Sequence, residues 1–258
     1  MSGWMTVALK EIRDHSRDRR SLVSAAMYSL IGPVVILLVA QSPAAEKGGA
    51  PLLLSMMSVF ALVAAFTGGM FLAVDATAGE RERGSLVPLL LNPIPSLHLM
   101  AGKWIAVAVF AIGGLAVNLA AFTAVFEWSG IEAPAGTTGP LLLWIVCGLA
   151  PVALLGAALH LLTGAASRTL KDAQARLSIV TLVPMMTGMF LVFFPGTIQQ
   201  WWFAIPMIGP QALIGEALRG HAVSLLQAVT LALLTLVATS ALLLAAGRVM
   251  SRNEITAA

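Results

Sequence analysis

The sequence contains few charged residues. Of its 258 residues only 10% are Asp, Glu, Lys or Arg, whereas 59% are hydrophobic. A soluble domain carries about a quarter charged residues. The composition therefore excludes an ordinary soluble protein and predicts a membrane protein.

The residues of common catalytic and metal sites are also scarce. The single cysteine, Cys147, excludes an intramolecular disulfide and a cysteine-based metal framework. Gly102-Lys103 lacks the upstream glycine and the following Ser or Thr of a phosphate-binding loop, and no His-Glu-x-x-His or serine-nucleophile motif occurs. We expect no catalytic, cofactor or metal site in this chain. If ATP drives its activity, another chain binds the nucleotide and its magnesium.

Ionisable residues are absent from long stretches of the chain. About 20 apolar residues span a bilayer as a helix, and these runs lack the alternation of barrel strands. We predict an all-α polytopic membrane protein with six transmembrane helices in one domain, 1–258. Charge-free interiors argue against an ion-coupled carrier. The six predicted spans are Ser21–Ala40, Leu52–Val74, Trp104–Phe126, Pro140–Thr163, Leu177–Pro195 and Val223–Ala246.

The positions of Lys and Arg predict the orientation of the chain. Five precede the first span, three lie in 75–103, three in 164–176 and two in the C-terminal tail; only Lys47 and Arg219 lie on the other side. Because positive residues stay inside, both termini are expected in the cytoplasm, as in a multi-pass protein of a bacterial inner membrane. The net charge of +3 reflects this topology and contact with anionic lipid; it does not indicate nucleic-acid binding.

The first 20 residues have the pattern of an amphipathic helix. Apolar positions from Trp4 to Ile12, followed by His15, repeat with helical spacing. This pattern predicts a helix on the cytoplasmic leaflet of the bilayer. The alternative is a solvated basic flank that only sets topology. The basic residues of the predicted helix are Lys10, Arg13, Arg17, Arg19 and Arg20.

Two connecting segments are distinctive. Residues 75–103 carry a dense cluster of both charges, which cannot sit in hydrocarbon, so we expect this loop to project into the cytoplasm as a short, rigid helix. Residues 196–222 carry Trp201, Trp202 and an apolar stretch, Gln211–Gly220, that is too short to span. That outer loop is predicted to be either re-entrant or surface-lying.

Three stretches together resemble one family. The run from Gly79 to Ile94, Gly-Glu-Arg-Glu-Arg-Gly-Ser-Leu-Val-Pro-Leu-Leu-Leu-Asn-Pro-Ile, resembles the coupling segment of ABC-2-type transporter permeases. Lys10–Leu22 is similar to that family's N-terminal cytoplasmic helix, and Lys171-Asp-Ala-Gln174 to a segment of its sodium-exporter-like branch. Ser85, Val87 and Asn92 depart from the usual Thr, Glu and Thr or Ser. The chain also lacks the large outer domain of some members of that branch.

The resemblance implies a permease subunit of an ATP-driven exporter. It implies a second permease copy, as homodimer or heterodimer, and a separate ATPase subunit, so the chain itself is not an enzyme. The alternative is a non-transporting membrane anchor or assembly factor that recruits a soluble partner. The substrate stays open between a cation, a lipid, a drug and a peptide. The residues implied to couple to the ATPase are Glu80, Arg81, Glu82, Arg83, Gly84, Ser85 and Leu86, with Lys171, Asp172 and Gln174 in the second cytoplasmic loop.

Overall fold

The computed structural model describes residues 3–85, 95–129, 138–194, 199–218, 221 and 223–257, and this part contains helices and no strand. The predicted all-α class is confirmed. The elements are α1 (Gly3–Arg17), α2 (Arg19–Ala40), α3 (Pro43–Thr67), α4 (Met70–Val74), a π-helical turn (Asp75–Gly79), α5 (Glu80–Glu82), α6 (Ser96–Ser129), α7 (Thr138–Ala166), α8 (Leu170–Phe193), a 3₁₀ turn (Gln200–Ala204), α9 (Ile208–Leu218) and α10 (Leu225–Ala257).

Six helical stretches are long and apolar enough to cross a membrane, which confirms the predicted number of spans. Several extend beyond the predicted ends, because a helix continues past the hydrocarbon where its polar groups find partners. The stretches are Leu22–Ala40, Pro51–Glu82, Ser96–Ser129, Cys147–Ala166, Leu170–Phe193 and Leu225–Ser251.

The second span is the centre of the bundle. In its most apolar window 83% of residues are buried, against 17% in the last span. Glycines allow its neighbours to approach closely: a Cβ on Gly156 would lie 2.5 Å from the Phe66 carbonyl oxygen, and one on Gly69 would lie 2.6 Å from that of Val107. Small residues at such contacts permit tight helix packing in membranes. Helices α2, α6, α7 and α8 pack against this span, and α10 packs against α6 and α7.

The charged loop is shorter than the predicted 75–103. The second span continues through the π-helical turn and α5 to Glu82, and α6 begins at Ser96. Gly84, at φ 71°, ends the helix: its N–H bonds the Arg81 carbonyl, and that of Ser85 bonds the Glu80 carbonyl. This is the Schellman arrangement, which favours glycine. Leu86 and the rest of 86–94 lie outside the described residues.

One side of the N-terminal helix α1 packs against the bundle, and its other side is exposed. The side chains of Val7, Ala8, Glu11 and His15 are buried and face α6. The absence of a side chain at Gly102 allows the contact, since a Cβ there would lie 2.6 Å from the Trp4 carbonyl oxygen. The amphipathic helix was predicted, but its buried face contacts protein.

Segment 196–222 contains the short helix that its sequence predicts. Residues 209–214 of α9 are buried, and Gln211 Nε2 donates to Ser58 Oγ of α3 at 2.7 Å. Residues 196–198, 219, 220 and 222 lie outside the described part of the chain. Whether the segment re-enters a membrane stays a prediction.

Candidate functional site: a charged junction at one end of the bundle

Six ionisable side chains from four elements meet at the end of the bundle that holds α1. We call this cluster the charged junction. It joins α1, the π-helical turn, the segment 80–85 and the first turns of α6. Its members are Glu11, His15, Asp75, Glu80, Arg83 and Lys103.

Lys103 lies at the centre of the charged junction. Its Nζ is 2.8 Å from Glu80 Oε2 and 3.2 Å from Glu11 Oε1, and its side chain has no solvent exposure. An ammonium group buried in this way is tolerated only when it is paired and hydrogen-bonded. The two carboxylates supply that pairing, one from α1 and one from α5. One cation thus connects three helices.

Asp75 forms the second part of the charged junction. Arg83 Nη1 donates to Asp75 Oδ1 at 2.7 Å, and His15 Nε2 lies 3.4 Å from Asp75 Oδ2. His15 Nδ1 lies 3.0 Å from the carbonyl oxygen of Glu11, so both ring nitrogens face acceptors. Asp75 lies at the start of segment 75–83, and Arg83 lies at its end. Their ion pair therefore joins the two ends of the segment, and the contact of Asp75 with His15 connects the segment to α1.

The surroundings favour the charged forms of His15 and Arg83. Burial alone would lower the pKa of His15, but the hydrogen bond to Asp75, the Glu11 carbonyl and the two negative charges outweigh it, so this pKa is raised. The hydrogen bond to Asp75 raises the pKa of Arg83. With His15 protonated, three cations balance three carboxylates. The charged junction is then electrically neutral as a whole.

The other two charged residues of the Gly79–Ser85 motif hold the connection between α7 and α8. Arg81 Nη2 donates to the Ala165 carbonyl at 2.8 Å, and its Nη1 donates to the Ser167 carbonyl. Glu82 Oε2 accepts from the Leu170 N–H at 2.9 Å. A cation at the carboxyl end of α7 and an anion at the amino end of α8 both suit the helix dipoles. We call this pair the α7–α8 clamp.

The two glycines of the motif have separate structural reasons. A Cβ on Gly79 would lie 2.8 Å from Asp75 Oδ1 and 3.2 Å from Arg83 Nη1, so glycine leaves room for that ion pair. Gly84 supplies the left-handed turn that ends the helix. Ser85 Oγ donates to the Glu80 carbonyl at 3.2 Å. The residues of the run 79–85 therefore make contacts within this chain.

These contacts correct the expectation that the whole charged cluster projects into water: of the four charged residues 80–83, only Glu82 and Arg83 are exposed. Glu80 is buried and Lys103 fully so, while Arg81 and Glu82 bind backbone groups of α7 and α8. The reason is pairing: each charge meets an opposite charge or a backbone dipole at the bundle's end. The sequence does not predict the roles of Glu11, Asp75 and Lys103 in this cluster. One signal for them is Glu11, because an acidic residue on the same helix face as Val7 and Ala8 indicates a buried charged partner.

Apart from Lys10, whose Nζ lies 3.5 Å from Glu11 Oε1, the remaining predicted site residues lie away from the charged junction. Lys171, Asp172 and Gln174 belong to the first turns of α8 and not to a loop. Asp172 N–H donates to the Thr169 hydroxyl at 3.2 Å, and Asp172 Oδ1 accepts from Arg176 at 2.8 Å. Lys171 and Gln174 are exposed. This capped turn orders the start of α8, which the α7–α8 clamp also holds.

The basic residues of the N-terminal segment occupy the free side of α1. Lys10, Arg13 and Arg17 are exposed, as is Arg19 at the start of α2. Lys10 Nζ lies 3.8 Å from Asp14 Oδ2. The side chain of Arg20 lies outside the described part of the structure.

The geometry favours mechanical connection over chemistry. Among the described residues no group of three or more His, Cys, Asp or Glu could hold a metal ion. The carboxylates and cations of the charged junction are already paired at hydrogen-bonding distances, with Lys103 completely enclosed. Such a cluster can hold helices in register, and it can transmit displacement among them.

Comparison with known proteins gives a consistent result. A family described as "ABC-2 family transporter protein" matches residues 5–255. The chain is also similar to the ABC transporter permease protein NatB of Bacillus subtilis (strain 168), with 30% identity over 185 residues, or 68% of this chain and 47% of NatB. The chain thus spans about half the length of the curated relative that it matches.

Proposed function

The chain belongs to the ABC-2 family of transporter proteins, and on that premise we propose that it is the permease subunit of an ATP-driven exporter in the cell membrane. In this proposal both termini and the charged junction face the cytoplasm, a separate ATPase subunit binds there, and two permease copies pair. The chain supplies the membrane path and no catalytic group. The similarity to a protein named as a permease supports this assignment.

The observation that carries the proposal is the fixation of segment 80–85. Through Glu80 it is bound to Lys103 of α6, and through Arg81 and Glu82 to the ends of α7 and α8. Lys103 continues the connection to Glu11 of α1. This segment carries Glu80 to Ser85, which the family resemblance implies to couple to the ATPase.

A mechanism follows from that fixation. When nucleotide-driven closure of the ATPase displaces segment 80–85, this segment does not move independently of the helices it contacts, because removing one partner of a buried ion pair costs about 3–5 kcal/mol. The displacement passes as a unit to α1, α6 and the connection between α7 and α8. The spans then reorient together, and the substrate path alternates between the two sides.

The test co-expresses the chain with its ATPase and compares two double variants. Glu82→Ala with Arg83→Ala removes one acid and one base that hold the segment. Asp14→Ala with Arg248→Ala removes one acid and one base from exposed positions at the same end of the bundle. We expect the first variant alone to lose most permease-stimulated hydrolysis, with both chains inserted in the membrane at wild-type levels.

The outcomes separate the proposal from the anchor. Wild-type stimulation by Glu82→Ala with Arg83→Ala would contradict coupling through this segment. A wild-type chain that binds a soluble partner without any nucleotide hydrolysis would favour the membrane anchor. The purified permease alone should hydrolyse no ATP, and hydrolysis by a rigorously pure preparation would contradict the subunit assignment.

A further inference from the structure

The surface of α1 is divided into three strips. The buried strip, Val7, Ala8, Glu11 and His15, faces α6 and the charged junction. A second strip is apolar but open: Met5 is 41% and Leu9 50% exposed, beside the half-buried Ile12. The third strip is exposed and basic and consists of Lys10, Arg13 and Arg17, with Arg19 following at the start of α2.

The order of the strips fits a helix at the membrane surface. At 3.6 residues per turn, the apolar strip lies roughly 110° from the buried strip, and the basic strip roughly 105° further round. If the buried strip faces the bundle and the apolar strip faces the acyl chains, the basic strip points away from the protein at the level of the head groups. Amphipathic helices that combine open apolar residues with basic ones lie in this way on anionic membranes.

Most cations of the basic strip have no acidic partner among the described residues. Within the described residues the guanidinium groups of Arg13, Arg17 and Arg19 form no ion pair. A water-exposed solvated flank would account for these arginines, but not for Met5 and Leu9 beside them. An acidic partner protein would leave the same apolar side chains in water. Phosphate head groups above acyl chains satisfy both strips at once.

We propose that Lys10, Arg13, Arg17 and Arg19 form a docking surface for anionic phospholipid head groups, and that lipid bound there holds α1 against the charged junction. This inference goes beyond the proposed function, because it assigns a ligand and a regulatory consequence to a different face of the helix. Glu11 and His15 are on the same short helix as the four cations. A helix released from the membrane surface carries both away from Lys103 and Asp75.

The experiment uses the full chain in nanodiscs, without ATPase or substrate. Hydrogen exchange of residues 3–17 is followed in phosphatidylcholine alone and with increasing phosphatidylglycerol. The test protein is a double variant that carries Arg13→Gln and Arg17→Gln. The control is a second double variant, Arg168→Gln and Arg248→Gln, which removes the same charge from exposed positions elsewhere at that end of the bundle. A surface cation contributes about 1 kcal/mol to anionic-lipid binding, which converts to an about thirtyfold weaker affinity for two.

We expect phosphatidylglycerol to slow exchange of α1 in the wild type and in the control variant. The Arg13→Gln and Arg17→Gln variant should need about thirtyfold more phosphatidylglycerol for the same protection. The exchange of its α1 should therefore stay at the rate seen in phosphatidylcholine alone. Equal exchange of the wild type in both lipids would overturn the proposal, as would full phosphatidylglycerol protection of the double variant. In a separate co-purification with the ATPase subunit, loss of binding by the Arg13→Gln and Arg17→Gln variant, together with unchanged lipid protection, would assign the strip to the partner protein instead. Neither lipid result depends on transport.

Discussion

The two ends of the bundle are held together by different interactions. At the end with α1, charged groups from helices far apart in the sequence are paired, and Lys103 is buried between two carboxylates. At the other end, the neutral pair Ser58 and Gln211 lies among apolar side chains such as Leu53 and Ile214. There Gln211 Oε1 and Trp202 Nε1 are buried and have no hydrogen-bond partner among the described residues.

This difference separates rigid fixation from adjustable packing. A buried charge network is costly to open, because a single lost partner leaves an uncompensated charge. Neutral contacts between apolar faces cost less to rearrange, since each lost hydrogen bond is worth about 1 kcal/mol. In the proposed exporter, the charged end would move as one piece, and the opposite end would change its packing.

The largest effect is expected from removing the central cation. Lys103→Met leaves Glu11 and Glu80 facing each other without a counter-charge, so we expect a loss of about 3–5 kcal/mol in the free energy of unfolding. Thermal unfolding in detergent, followed by tryptophan emission, measures it. Lys103→Arg keeps the charge and should lose much less. A wild-type melting temperature for Lys103→Met would mean that the two ends do not differ as described.

The α7–α8 clamp should come next. Arg81→Ala removes charge-assisted hydrogen bonds to the carbonyls of Ala165 and Ser167, for which we expect a loss of about 2–3 kcal/mol. Faster hydrogen exchange over residues 163–172 would locate the loss. The exposed Arg248→Ala is the matched control. Equal exchange in the two variants would show that Arg81 does not hold this connection.

The pairs at the two ends also differ in how variants combine. Ser58→Ala leaves the Gln211 amide without its acceptor, so we expect a loss of about 1–2 kcal/mol. Adding Gln211→Met removes the stranded group, and the double variant should return to within about 0.5 kcal/mol of wild type, because both polar partners are then gone. Thermal unfolding of the four proteins of the cycle measures this. An additive double variant would contradict the neutral character of that end.

The smallest effect concerns pH and is confined to the charged end. Because the folded pKa of His15 is raised, its stabilising contribution is complete below the ordinary imidazole pKa of about 6.5 and is lost as pH rises through the folded value. Hydrogen exchange of α1, corrected for intrinsic rates, should therefore quicken on the alkaline side of that range. The groups around His15 are Glu11 on its own helix, Asp75 on the second span, Arg83 directly after the end of that span, and Lys103 on α6.

His15→Gln provides the control for that pH dependence. It keeps a hydrogen-bonding side chain but cannot be protonated, so the exchange of α1 should no longer change across this range. A wild-type protein whose α1 exchange is independent of pH, or a variant that keeps the dependence, would rule out titration of His15 as the cause.

The architecture could be predicted from the sequence because long apolar runs leave little choice. The ends of the spans could not. A charge in hydrocarbon is costly, so the first charge beyond each run, such as Asp75 or Lys103, was interpreted as the end of the helix. The structure continues through both, because these charges are paired.

The partners of the site could be predicted even less. Lys103 and Glu11 are 92 positions apart, and Arg81 is 84 from Ala165. No local pattern specifies contacts at such distances, and the partners of Arg81 are backbone carbonyls, which any residue carries. The sequence indicates the importance of the run that begins at Gly79. It does not indicate that Glu80, Arg81 and Glu82 contact other helices of the same chain, which only the structure shows.

The π-helical turn Asp75–Gly79 has a consequence for how this chain can change in evolution. A π turn accommodates one residue more than an α-helix would in the same length. Deleting Ala76 or Ala78 would therefore let the helix continue as α with the residues after the turn in nearly the same orientation, whereas a deletion within a regular α-helix rotates everything after it by about 100°. After the first kind of deletion Glu80 would still face Lys103, and Arg81 would still face α7. A one-residue gap is thus tolerated better in this turn than in the α-helical part of the same span, where it would take Glu80 away from the buried lysine.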